Sequence, residues 1–192
     1  MQTLIIACGA LAREVLALIE LNGWQHMELS CLPADLHLRP EKIPDAVEAA
    51  VEAARGRYEQ IFVAYADCGT GGLLKARCDA LGVDMISGPH CYSFFEGNEA
   101  FTARGEVTSF YLTDFLARQF DAFVWRPMGL DKHPELRDMY FGNYEKLVYL
   151  AQTEDESLTA AAMLAAQKLC LKFERRFTGY GDLSSTLGTL PH

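Results

Sequence analysis

The sequence has no long apolar run, no excess of basic charge and no metal-binding signature of fixed spacing. A membrane-spanning helix needs about 20 consecutive apolar residues. The longest apolar stretch here, LTAAAMLAAQKLCL, is interrupted by Gln167 and Lys168, so no contact with a membrane is expected. Lysine and arginine number 17 against 26 acidic residues, a net charge of −9. A chain this acidic repels a phosphate backbone, and no basic stripe interleaved with aromatics offsets the charge, so nucleic acid is excluded as a partner. The opening MQTLIIACGA lacks the basic lead and long apolar core of a secretory signal. A cytoplasmic location is therefore expected, and six cysteines in that compartment are thiols or ligands rather than disulfides. CxxC pairs, HExxH and HxE…CxxC are all missing, so any metal site has to be assembled from separate loops.

What is present is an alternation of strand and helix. With 192 residues, half of them hydrophobic, the chain is long enough to bury a core without staples. Apolar runs at residues 4–8, 27–32, 60–66, 83–87, 107–111 and 146–152 read as strands. Helical spacing fills the intervals, with Asn22–Gly23 and Gly82 as stop signals. The stretch PADLHLRPEKIP is expected as an irregular loop, with Asp45 capping the helix after it. The last helix is expected from Ser157 to about Arg176, and the tail from about residue 178 is expected to be loosely ordered. This pattern predicts one α/β domain over residues 1–192, built on a mostly parallel, doubly wound sheet with helices on both faces.

Three cysteines stand where a predicted strand runs into a turn: Cys8 in LIIACG, Cys68 in AYADCGTGG and Cys91 in GPHCY. Open α/β sheets bind ligands beyond the carboxyl ends of their strands, so three loops deliver three thiols to one edge. Gly9 permits a tight turn after Cys8, and the helix that follows would lower the Cys8 pKa or bind an anion. In DCGTGG, the backbone of Gly69, Thr70, Gly71 and Gly72 could cradle an anionic ligand. The loop has neither the lysine of a P-loop nor a dinucleotide fingerprint. Asp67 is a candidate general base or partner of a ligating histidine, and His90 a candidate base. His37 lies in the loop after the second strand and would complete a Cys₃His set. Each of these residues also has a plain structural use, as a cap, a turn residue or a small core side chain. Cys31, Cys78 and Cys170 read as packing residues.

The motifs CGALARE, LPADLHLRPEKIP, AYADCGTGG, GPHCYSF, FYLTDFL, GLDKHPELRDMYFGNY and YLAQ resemble an uncharacterised bacterial and archaeal family, domain of unknown function 1638. The likeness runs from Leu4 to about Gly181. Members look like neighbours of corrinoid-dependent methyltransferase systems. The resemblance thus implies a role in one-carbon metabolism, with a corrinoid protein or methyltransferase as partner.

Three functions follow as expectations. The first is a metal-binding protein of methyl-group metabolism, with zinc or an iron–sulfur cluster held by Cys8, Cys68, Cys91 and His37 or His90. The second is a non-metal accessory module that binds an anionic small molecule on the Gly-rich loop. The third is a thiol enzyme with Cys8 or Cys68 as nucleophile and His90 as base.

Overall fold

The computed structural model describes residues 2–191. In chain order its elements are β1 (Thr3–Cys8), α1 (Ala12–Asn22), β2 (Met27–Leu32), α2 (Ile43–Ala54), β3 (Gln60–Ala64), α3 (Leu73–Leu81), β4 (Asp84–Met85), α4 (Cys91–Glu96) and α5 (Asn98–Arg104). There follow β5 (Ser109–Leu112), α6 (Asp114–Arg118), α7 (Arg137–Phe141), β6 (Lys146–Ala151), α8 (Glu156–Leu169), β7 (Lys172–Phe177) and α9 (Gly181–Gly188). Among the described residues, no helix is long and apolar enough to cross a membrane.

The fold class is α/β with parallel pairing throughout, as the alternation predicts. The single sheet is corrected: the strands form two, in the orders β2-β1-β3-β4 and β5-β6-β7. The chain divides correspondingly into two compact units, Met1–Asn98 with Tyr180–His192, and Glu99–Gly179.

In the first unit β1 is central, and all six of its residues are buried, as a strand covered on both faces must be. The crossover from β1 to β2 runs one way along the sheet and that from β2 to β3 runs the other. Because such crossovers are right-handed, α1 and α2 lie on opposite faces, and this sheet is doubly wound. α1 stops at Gly23, whose left-handed φ of 64° suits a residue without Cβ. α2 buries Ile43, Val47, Val51 and Ala54 along one stripe and takes Pro44 in its first turn. Asp45 sits inside that turn rather than capping it.

In the second unit both crossovers run in the same direction, so their helices share a face. α6 and α8 pack together, over a cluster that includes Leu147, Tyr149 and Ala151 of β6. Asp155, not Ser157, caps α8, accepting from the Ser157 and Leu158 amides. That helix ends at Cys170, in left-handed conformation, and the residues expected to continue it form β7. The tail differs from expectation as well: α9 buries Leu183 and Leu187 in the first unit's core.

Candidate functional site

The order β2-β1-β3 makes the carboxyl ends of β1 and β3 the point where the winding of the first sheet reverses. Crevices at such points are where open α/β sheets take ligands. Two backbone contacts build the site there. At the first, a Cβ on Gly9 would stand 3.0 Å from the Leu32 carbonyl oxygen and 3.4 Å from the Ala34 nitrogen. Glycine is therefore required for chain packing, which replaces the expected ligand contact. The close approach draws the loop after β2 against Cys8, leaving Cys8 Sγ 3.0 Å from His37 Nε2.

The second contact extends the pairing of β3 with β4. Asp67 N–H donates to the Gly88 carbonyl at 3.0 Å and Cys68 N–H to the Pro89 carbonyl at 2.8 Å. The Cys68 loop is thereby zipped to the turn that carries His90 and Cys91. Cys68 adopts φ of 51°, a left-handed conformation unusual for a residue with a side chain, of a kind that collects at functional sites.

Cys8 acts on both of the other thiols, and Cys68 on Cys91. Burial first, then the negative charge that Cys8 would carry, pushes Cys68 up to about 12. Cys91 is pushed well above the ordinary thiol value by burial and by Cys68 and Cys8. Burial pushes Cys8 up to about 11, against the opposing Ala10 amide, which donates to Sγ at 3.4 Å. The expected lowering of the Cys8 pKa is thus overturned, because desolvation outweighs one backbone N–H. Burial also lowers the pKa of His37. With both groups neutral, the tautomer of His37 decides which of the two donates. Among the described residues, no group of three or more His, Cys, Asp and Glu side chains stands ready to hold a metal ion as placed.

The Gly-rich loop is already filled. Asp67 accepts hydrogen bonds from the Thr70 hydroxyl at 2.8 Å, Gly71 N–H at 3.0 Å and Gly72 N–H at 2.7 Å. Burial alone would raise its pKa, but these donors together with Gly69 N–H outweigh it and hold the carboxyl below its usual range. The backbone expected to cradle a ligand is spent on the chain's own carboxylate, and the same bonds take Asp67 out of use as a base. His90 stands just ahead of α4, its ring 4.9 Å from that of Tyr92, and burial lowers its pKa. The imidazole bonded to Cys8 is His37, which corrects the expectation of His90 as its base.

Of the remaining cysteines, Cys31 is the penultimate residue of β2, opposite Ala7 of β1, and the other two lie within or at the end of helices. Cys78 is fully buried in α3, Cys31 is exposed on β2, and Cys170 is exposed at the end of α8. Sequence reasoning missed Tyr65, whose ring stacks on His37 with centroids 6.3 Å apart. Its signal was a hydroxyl set within an otherwise apolar run.

A family model described as a protein of unknown function (DUF1638) matches residues 31–187. No curated protein and no solved structure matches the chain.

Proposed function

This chain belongs to that family of proteins of unknown function, and we propose that it binds a thiophilic metal centre through Cys8, Cys68, Cys91 and His37. The observation that carries this reading is the gathering of Cys8, Cys68, Cys91 and His37 at one end of the first sheet: Cys8 Sγ stands 3.0 Å from His37 Nε2, and the Cys68 loop is paired with the turn that leads into Cys91. Three thiolates brought together out of water repel one another, and only a cation offsets that charge; a metal that ligates them deprotonates them outright. Three sulfurs and an imidazole are a donor set suited to zinc, and sulfur-rich sets also hold iron–sulfur clusters. Bound zinc would supply a Lewis acid, and a cluster would supply electron transfer. A place in corrinoid-linked methyl-group metabolism, with a corrinoid protein or methyltransferase as partner, belongs to the same reading and rests on the resemblance alone.

The bond between Cys8 and His37 favours a second reading, a thiol enzyme with Cys8 as nucleophile. Against it stands the rise of Cys8 to about 11, which keeps the proton on sulfur at neutral pH when the nucleophile must be a thiolate.

Metal analysis of anaerobically purified protein tests the proposal. Parent and Cys170→Ser protein are expected to carry equal metal, and Cys68→Ser and Cys91→Ser to lose most of it. Equal metal in all four, or none in the parent, overturns the reading.

A further inference from the structure

In the second unit a cation stands over two aromatic rings. Lys168, in the last turn of α8, places its Nζ 5.2 Å from the centre of the Trp125 ring and 6.0 Å from that of Phe120. The same nitrogen lies 2.8 Å from Asp121 Oδ1. Aromatic ring faces carry negative charge and attract cations within about 6 Å of the centroid. Two rings and a carboxylate that converge on one ammonium form a cage for a cation, and the chain's own lysine marks its centre.

An uncommon backbone conformation builds this cage. Residues Asp121–Trp125 form a π-turn, closed by the Arg126 N–H, which donates to the Asp121 carbonyl at 2.9 Å. Such turns hold fewer than about 1% of residues and collect at functional sites. In an α-helix, side chains five residues apart diverge by about 140°. The wider π-turn lets Phe120 and Trp125 meet, with ring centroids 6.2 Å apart. Phe120 is buried, and Trp125 is half-buried against the same core, so packing fixes both rings. Lys168 is not held in this way: 46% of its side chain is exposed, as is 56% of that of Asp121. An exposed ion pair of this kind stabilises a fold little, so holding Lys168 does not account for the π-turn.

We infer that Phe120, Asp121 and Trp125 form a binding site for a small quaternary ammonium cation, which Lys168 occupies as a tethered stand-in and vacates when the ligand binds. The choice of cation follows from that competition. A tethered ammonium competes at an effective concentration in the millimolar range, so a free primary amine of the same chemistry does not displace it. A quaternary ammonium has no N–H donors to satisfy and draws its binding from the ring faces, the use to which aromatic cages are put. Asp121 then supplies charge rather than a hydrogen-bond acceptor. The site is independent of the metal reading.

The test follows full-length, isotope-labelled protein by nitrogen–proton correlation NMR during titration with tetramethylammonium chloride. Sodium chloride at equal ionic strength is the control. The chain has two tryptophans, and Trp24 packs against the first unit's core, so its indole N–H is an internal reference. Tetramethylammonium is expected to move the Trp125 indole signal at about millimolar concentration and to leave that of Trp24 in place. Lys168→Met removes the tethered competitor and is expected to tighten binding about tenfold. Adding Asp121→Asn to Lys168→Met is expected to cancel that gain. A Trp125 shift that sodium chloride reproduces overturns the inference, as does Lys168→Met protein that binds no tighter than the parent. Full affinity in the double variant overturns it too. Phosphatidylcholine vesicles carry the same cation on a lipid, and protein that binds them but not the free ion overturns a site for a small molecule.

Discussion

Tyr65 and Tyr149 occupy comparable places, each buried near the carboxyl end of a parallel strand, one in each sheet, and their hydroxyls fare differently. The Tyr149 hydroxyl donates to Asp114 Oδ1 at 2.7 Å, and the same carboxylate accepts Gln152 N–H at 2.9 Å and the Thr153 hydroxyl at 2.5 Å. Asp114 N–H in turn donates to Gln152 Oε1 at 2.7 Å. The second sheet's end is closed on itself, each donor matched to an acceptor. At the first sheet's end, the Tyr65 hydroxyl has beside it the Cys8 thiol, a weak acceptor. A buried network of charged and amide acceptors stabilises a fold, whereas a bond to a neutral thiol adds little.

Substitutions should separate the two ends. The largest effect is expected from Asp114→Ala, which leaves a tyrosine hydroxyl, an amide and a threonine hydroxyl without their shared acceptor. Urea unfolding should show a loss of about 3 kcal/mol or more, with metal uptake by the folded protein unchanged. Tyr149→Phe removes one bond to a buried carboxylate and should cost about 2 kcal/mol. Tyr65→Phe removes only a bond to a weak thiol acceptor and should cost less, about 0.5 kcal/mol. A Tyr65→Phe loss equal to that of Tyr149→Phe would erase the contrast between the sheets.

The two units should also fail at opposite ends of the pH scale. Cys8 and Cys68 are raised from 9.0 to about 11 and about 12. In chelator-treated protein the unfolded chain therefore releases these protons first, and the stability they contribute falls as pH rises from about 9 through 11. In the second unit, burial alone would raise Glu106, but Arg176, Lys146 and Tyr111 more than offset it and hold the carboxyl at about 2 rather than 4.5. That contribution is complete above pH 4.5 and is lost as pH falls toward 2. Hydrogen exchange of peptides from residues 2–98 and 99–179 should show alkaline opening in the first and acid opening in the second. Parallel loss in both at either limit would contradict this assignment.

The strand ends were legible because an apolar run closed by glycine or a turn is a local signal, and a cysteine closes the run at β1. Less local features were not. KFERRF reads as the continuation of a helix, since its alternation is of half-buried charged residues and the break before it is a cysteine in left-handed conformation, not a glycine. Leu183 and Leu187 stand four residues apart among serine, threonine and glycine, too few to announce α9. That β4 and β5 belong to different sheets is a matter of long-range pairing. At the site, glycines pointed to free backbone donors, and only the folded loop revealed that Asp67 turns back to occupy them. The spacing Asp67–Thr70–Gly72 could have suggested that closure.

X-ray absorption at the zinc edge, on protein loaded with a single equivalent of zinc under anaerobic conditions, addresses the thiol cluster most directly. Expected is a first shell of three sulfurs at ~2.3 Å and one nitrogen at ~2.0 Å, with sulfur lost in the Cys68→Ser and Cys91→Ser variants and retained in Cys170→Ser. A shell of nitrogen and oxygen alone, or one that these substitutions leave unchanged, would contradict a metal centre built from Cys8, Cys68, Cys91 and His37.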